Sequence, residues 1–236
     1  MSDKLVSVII PSYQRFEEVQ ESINSVLAQN YSNIEVIVID DCSSDNRYTT
    51  LDTIYKNENV KIIHLPINMR EKYKIPAAQG LTRNAGLEIA KGEWIAFLDD
   101  DDAWSDPNKL SEQINAMIKY DCLLCSSNML VGYGKYSKNT NVTSTYLDKA
   151  LTVGIKQEDK IFKFNKKDVS IINYINNSSC IIHKSIVDKV GLFIGCKNED
   201  YDYWLKALRF TNGIYIQKPF VYYDLGHGEK QNYIYI

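Results

Sequence analysis

The sequence of 236 residues lacks any apolar run near the roughly 20 residues that a membrane-crossing helix needs. Its first apolar segment, Leu5 to Ile10, is too short for the core of a secretion signal, so the chain is expected in the cytoplasm. Cysteine is scarce and unpaired in number, with five at irregular positions, which excludes a disulfide framework and suits a reducing compartment. Cys122 and Cys125 form one C-x-x-C without a second pair, and Leu123 and Leu124 between them read as buried strand, so structural thiols are expected there rather than zinc. An excess of positive charge is also missing. Lys and Arg total 27 against 30 Asp and Glu, which gives no bulk field for nucleic acid, although Lys163, Lys166 and Lys167 lie close together. Neither an internal repeat nor a linker interrupts the chain, and residues 1–236 read as one domain.

What is present is an alternation of short buried runs and amphipathic stretches. Leu5 to Ile10 is rich in β-branched residues and halts at Pro11, and Val19, Ile23, Val26 and Leu27 then recur at helical spacing up to about Asn30. Ile34 to Ile39 is a second buried strand, followed by Asp40 to Asp45, whose last residue suits the N-cap of the next helix. A third strand covers Val60 to Leu65, and a helix from about Gln79 to Lys91 is expected to end at Gly92. Trp94 to Leu98 is a fourth strand, and Asp106-Pro107 opens a helix with Leu110, Ile114, Met117 and Ile118 on one face. Residues 131–170 are polar and read as a long surface excursion. Regularity returns at Cys180 to His183, in a helix carrying Tyr201, Trp204, Leu205 and Leu208, and at Ile214 to Tyr223. Such alternation predicts an α/β fold, a mostly parallel sheet with helices on both faces, in which ligands bind beyond the carboxyl ends of the strands. Pro11 to Arg15, Asp40 to Asp45 and Asp99 to Asp102 each follow a buried strand, so all three should meet at one edge.

The run Asp99-Asp100-Asp101-Asp102 is the most informative of these segments. Adjacent carboxylates repel, and a fold carries four of them beside a buried strand only where something cationic neutralises them. A divalent metal is the obvious candidate.

Five ordered segments resemble the inverting family 2 glycosyltransferases: Val8 to Tyr13, Val38 to Asp45, Arg83-Asn84-Ala85-Gly86, Leu98 to Asp102, and Asn198-Glu199-Asp200-Tyr201. The resemblance implies the GT-A, or nucleotide-diphospho-sugar transferase, fold, with about 1–105 binding nucleotide and about 106–236 supplying the acceptor site and the catalytic base. It implies a UDP-sugar donor, with Pro11, Ser12 and Tyr13 packing on the base, Arg15 in the same loop, and Asp41 accepting from the uracil ring. Asp40 reads better as a loop-orienting residue bonded to backbone. In the D-x-D element, Asp101 is expected to ligate Mn²⁺ or Mg²⁺, with Asp99 and Asp100 nearer the ribose and the metal's waters, and Asp102 capping the following turn. Such an ion stabilises charge developing on the departing diphosphate. Arg83 matches the family's diphosphate-side arginine, its alternative being an exposed helix residue. Asp200 matches the catalytic base, with Glu199 orienting the loop or the acceptor. His227 is a looser match to an extra metal ligand, against a plain loop histidine. Trp104 is expected to bound the sugar or acceptor site, and Trp204 to lie in the core.

The resemblance extends to bacterial enzymes that build surface polysaccharide on a polyprenyl diphosphate carrier. A lipid-linked saccharide acceptor, reached by peripheral contact with the inner membrane, follows from it, although no amphipathic anchor stands out. Two other readings compete. A sugar nucleotidyltransferase needs a glycine-rich triphosphate loop, which Pro11 to Arg15 does not offer. A non-catalytic nucleotide-sugar-binding protein has no need of both the acid run and Asp200.

Overall fold

The computed structural model describes residues 4–56, 58–136, 141–145, 160–171, 173 and 175–226. The elements run in the order β1 (Val6–Ser12), α1 (Phe16–Leu27), β2 (Ile34–Asp40), a 3₁₀ turn (Asn46–Thr50), α2 (Leu51–Ile54), β3 (Val60–His64), α3 (Met69–Tyr73), α4 (Gln79–Ile89), β4 (Trp94–Phe97) and β5 (Ala103–Trp104). Then follow α5 (Lys109–Tyr120), β6 (Leu124–Tyr133), β7 (Asn141–Thr145), β8 (Ile161–Phe164), α6 (Lys166–Ile171), a 3₁₀ turn (Asn177–Ser179), β9 (Ile181–His183), α7 (Lys184–Val190), α8 (Glu199–Ala207) and β10 (Gly213–Asp224).

One sheet runs through the chain in the order β3-β2-β1-β4-β9-β6-β10-β5, with β7 beside β6 and β8 beside β10. The first four strands are parallel, as the buried runs predict. β6 and β10 are parallel to each other, and β9 lies antiparallel between β4 and β6. All of β1 is buried, and its side chains divide by the two-residue period of a strand. Val6, Val8 and Ile10 enter the core shared with α1 and α5, while Ile9 enters the core shared with α4 and α8. Pro11 does not stop the strand. β1 pairs β4 only as far as Ile9, so by Pro11 that side of β1 is an edge and no ladder bond is asked of the missing N–H.

Two glycines set how closely the elements approach. Gly92 is not the cap of α4, which ends at Ile89 with Ala90 in the capping position. A Cβ on Gly92 would stand 2.5 Å from the Ser7 backbone nitrogen, so the residue must be glycine for β1 to pass. Gly86 plays the same part on α4, where a Cβ would stand 2.6 Å from Ile9 Cγ2. Seated this close, α4 carries Arg83 to the sheet edge.

Beneath α8, Phe97, Phe193, Tyr203 and Trp204 form an aromatic cluster. Phe193 stacks on Tyr203 with centroids 4.1 Å apart, and Phe97 meets Trp204 edge-on at 5.8 Å. Such pairs contribute about 0.5–1.5 kcal/mol each beyond their burial. They fix the start of α8, and Trp204 is fully buried as expected. The polar excursion is partly sheet: β7 and β8 lie within it, and α6 follows β8. All five cysteines are free thiols, and burial pushes Cys125 up to about 12. Among the described residues no helix is long and apolar enough to cross a membrane.

Candidate active site

The three segments expected at one sheet edge meet there. Ser12 and Asp40 are register partners at the ends of β1 and β2, and the acid run leaves β4 beside them. The run turns on itself through the Asp102 N–H, which donates to the Asp99 carbonyl at 3.1 Å. Helix α1 supports it from below, with Ser22 Oγ donating to the Asp102 carbonyl at 2.6 Å.

The cations that answer this run in the protein itself are two arginines. Arg15 Nη1 lies 2.8 Å from Asp100 Oδ1 and 2.8 Å from Asp101 Oδ2. Arg83 Nη2 donates to Asp99 Oδ1 at 2.6 Å, and Asn177 Nδ2 donates to the same oxygen at 3.0 Å. Two guanidinium groups do not fully offset the crowding. Burial, and then the Asp100 charge, push the Asp101 carboxyl up to about 7, and burial raises Asp100 as well. Asp102 is not the cap of the following turn. Its carboxylate accepts from Ser178 Oγ at 2.5 Å and from the Asp224 N–H at 3.3 Å, which ties the acid loop to β10 and to the Asn177–Ser179 turn. Burial holds it well above the usual carboxylate range.

Asp41 is buried, with Oδ1 accepting the Met69 N–H at 2.8 Å and Oδ2 accepting from Asn68 Nδ2 at 3.1 Å. These bonds leave lone pairs on a carboxylate. Burial raises its carboxyl despite them. Asp40 orients its loop as expected, accepting the Ser43 N–H at 2.9 Å and meeting His64 Nδ1 at 2.9 Å. Tyr13 remains 45% exposed, so its ring is free to meet a planar base. Its N–H donates to Asp100 Oδ2 at 3.2 Å.

Arg83 is not the exposed helix residue that the alternative reading supposes. It is 4% exposed, and its second terminal nitrogen donates to Glu199 Oε1 at 2.6 Å. One guanidinium therefore joins the acid loop to the start of α8. Glu199 is buried and spent on that bond, in keeping with an orienting role. Asp200, next along, is half-buried, and its Oδ1 accepts the Tyr201 N–H at 2.7 Å. Burial first, then the Glu199 charge, push its carboxyl up to about 6, against the pull of Arg83. A carboxylate poised there is charged at neutral pH yet holds a proton readily.

Trp104 does not bound an open site. It is 4% exposed, its indole N–H donates to the Ser178 carbonyl at 3.1 Å, and the Lys109 ammonium sits 4.2 Å from its ring centre. His227 lies outside the described residues. Asn68, Tyr48, Asn177 and Ser178 all hold site residues and went unread in the sequence, because each acts on a partner 27 to 78 residues distant or lies in a turn without a motif.

Asp99 and Asp101 suit a hard cation. Their side chains keep 29% and 19% exposure, whereas Asp100 keeps 7%, and all offer oxygen donors. Among the described residues no three His, Cys, Asp or Glu side chains form a metal-holding group, so an ion here would complete its shell from a ligand's oxygens.

The profile of glycosyl transferase family 2 matches residues 7–191, from β1 past the end of α7. The chain belongs to this family. Over 137 residues it is 40% identical to the Escherichia coli UDP-Glc:alpha-D-GlcNAc-diphosphoundecaprenol beta-1,3-glucosyltransferase WfgD, an overlap of 58% of this chain and 47% of WfgD. Over 210 residues it is 30% identical to WfaP, an E. coli enzyme of the same description, covering 87% of this chain and 70% of WfaP. The fold is that of Staphylococcus aureus TarS 1-349 in complex with UDP-GlcNAc, with a TM-score of 0.73 at 22% identity over 98% of this chain and 62% of TarS. The GT-A fold expected from the motifs is thus the fold observed. Many relatives are longer, and the chain spans 34% to 60% of the length of rickettsial glycosyltransferases that it matches at 28% to 31% identity.

Proposed function

We propose that this family 2 chain is an inverting, metal-dependent glycosyltransferase that moves a sugar from a UDP-sugar to a saccharide acceptor linked to polyprenyl diphosphate, in the building of bacterial surface polysaccharide. The observation that carries the reading is Arg83, whose two terminal nitrogens bond Asp99 and Glu199, so that the acid loop and the residue preceding Asp200 share one cation.

In this reading Asp41 and Tyr13 hold the uracil, Ser12 and Pro11 shape its pocket, and Asp99 and Asp100 face the ribose side. Asp99 and Asp101 would hold Mn²⁺ or Mg²⁺ together with diphosphate oxygens. The ion supplies charge stabilisation for the departing UDP. Asp200 takes the proton of the acceptor hydroxyl as its oxygen bonds to the anomeric carbon. The bond to UDP breaks on the opposite face, and the configuration inverts. Residues of about 1–105 serve the donor, and about 106–236 serve the acceptor and the base. The acceptor class rests on likeness to WfgD and WfaP, whose names specify a diphosphoundecaprenol-linked sugar. A lipid-linked acceptor calls for peripheral contact with the membrane, and the location in this reading is the cytoplasmic side. Retention of both the acid run and Asp200 favours transfer over simple nucleotide-sugar binding.

A screen of nucleotide-sugar donors, with and without Mn²⁺, over lipid-linked acceptors tests donor, metal and acceptor together. Anomeric NMR of the product reports the stereochemistry. A product with the donor's α configuration, or transfer indifferent to chelation, would overturn the corresponding part.

A further inference from the structure

We propose that Tyr48, which belongs to none of the recognised motifs, is a positioning residue of the donor site: its buried hydroxyl fixes the turn that carries Arg15 onto Asp100 and Asp101. Tyr48 lies in the 3₁₀ turn Asn46–Thr50, which begins where Asp45 accepts the Arg47 N–H at 2.9 Å. It is 1% exposed, and its ring meets Phe16 edge-on with centroids 6.0 Å apart. The hydroxyl stands 2.6 Å from Ser12 Oγ and accepts the Arg15 N–H at 2.8 Å. One atom from the turn after β2 therefore grips both ends of the turn after β1.

That turn needs an anchor. Gln14 has a φ of 58°, a left-handed conformation that a residue with a Cβ adopts at a cost. Its other ties, from its N–H to Ser43 Oγ at 2.9 Å and from Nε2 to Ser44 Oγ at 2.7 Å, are exposed to solvent and compete with water. The Tyr48 bonds are sheltered. Arg15 stands at the N-cap of α1, where a guanidinium has no acceptor to offer the first turn, and its side chain turns to the acid loop. Phenylalanine would fill the volume of the Tyr48 ring equally well, so the hydroxyl's specific contribution is to hold Ser12 and the Arg15 N–H. Without it that N–H loses its 2.8 Å acceptor, the Gln14 turn relaxes, and the guanidinium loses its register on Asp100 and Asp101. Donor affinity then suffers through a residue that never meets the donor.

The inference rests on the UDP reading, and its test separates the two. In the full chain, Tyr48→Phe is measured for UDP affinity with Mn²⁺ by calorimetry, and for amide hydrogen exchange across residues 13–15 and 99–102 without ligand. Expected are UDP binding about tenfold weaker, about 1.4 kcal/mol, and exchange at least about tenfold faster in both segments. In an Arg15→Ala background, Tyr48→Phe should add little further loss of UDP affinity, which a purely structural tyrosine would not show. Unchanged affinity with unchanged exchange overturns the proposal, as does a fully additive loss with Arg15→Ala. If the parent protein binds no UDP, the donor reading falls, and exchange at residues 99–102 alone decides: faster supports the latch, unchanged refutes it. Should Tyr48→Phe fail to fold, Ser12→Ala removes one arm of the same knot. It must then speed exchange at residues 13–15, or the proposal fails.

Discussion

Arg15 Nη1 stands 2.8 Å from Asp101 Oδ2, so the carboxylate proposed to hold a metal already has a cation beside it. Asp101→Ala leaves Arg15 its bond to Asp100 and removes a desolvated carboxyl. The expected outcome is a protein at least as stable as the parent whose UDP affinity no longer responds to Mn²⁺. Calorimetric titration of UDP with and without the ion checks it, and a retained Mn²⁺ response would move the metal to another carboxylate.

Asp200→Asn keeps the shape of the α8 start and removes the proposed base. Transfer should fall by about 10² to 10⁴, the range of general-base contributions, while UDP affinity stays within about twofold. Single-turnover rates beside equilibrium UDP binding make the comparison, and near-normal turnover would remove Asp200 from the mechanism.

The rate should fall on the acid side of about pH 6, where Asp200 takes up a proton. Glu199→Gln removes a negative charge that raises the Asp200 pKa and leaves Arg83 pulling it down. The acid limb of kcat/KM therefore moves to lower pH in the variant. A limb that stays in place or moves up would show that another group sets it.

Lys109 is fully buried, and burial lowers its ammonium to about 7 among the Cys125 and Cys180 thiols. The unfolded chain holds that proton up to about pH 10.4, so between about 7 and 10.4 unfolding takes up protons and this residue's contribution to stability rises with pH. Below 7 its full cost is present. Lys109→Met should be about 1–4 kcal/mol more stable than the parent near pH 7, with the difference narrowing towards pH 10. Urea unfolding across that range measures it.

Asp121 ends α5 at a φ of 51°, exposed, with a carboxylate at the negative end of the helix. Asp121→Gly relieves the left-handed backbone at some cost in unfolded-chain entropy, for a net gain of about 0.5–1 kcal/mol. A lower urea midpoint would contradict this.

The sequence is legible where physics is local. β1, β2 and β4 follow from β-branched and apolar runs, α1 and α5 from their spacing, and the meeting of three loops from the parallel order that those elements imply. Asp40 and Trp204 take the parts expected of them. What could not be read is partnership across the chain. The need of Asp99 to Asp102 for a cation is visible, but Arg15 lies 85 residues before Asp100 and Arg83 lies 116 before Glu199, and no spacing rule links such pairs. Asp102 looks like a local cap because its partners, Ser178 and Asp224, come 76 and 122 residues later. Trp104 sits beside the acid run in sequence but under it in space, since β5 pairs with β10 and draws the indole inward. Gly92 reads as a helix stop because its collision with Ser7 exists only once β1 and β4 are paired.

The Arg83 bridge makes Asp99 and Glu199 rivals for one charge. A ligand that draws Asp99 away from the guanidinium returns more of that charge to Glu199 and its neighbour Asp200, and an acceptor that engages Glu199 does the reverse for Asp99. If donor and acceptor bind as proposed, such a shared counter-ion gives their two sites a common free-energy term, and any factor by which donor changes acceptor affinity must be matched by acceptor on donor.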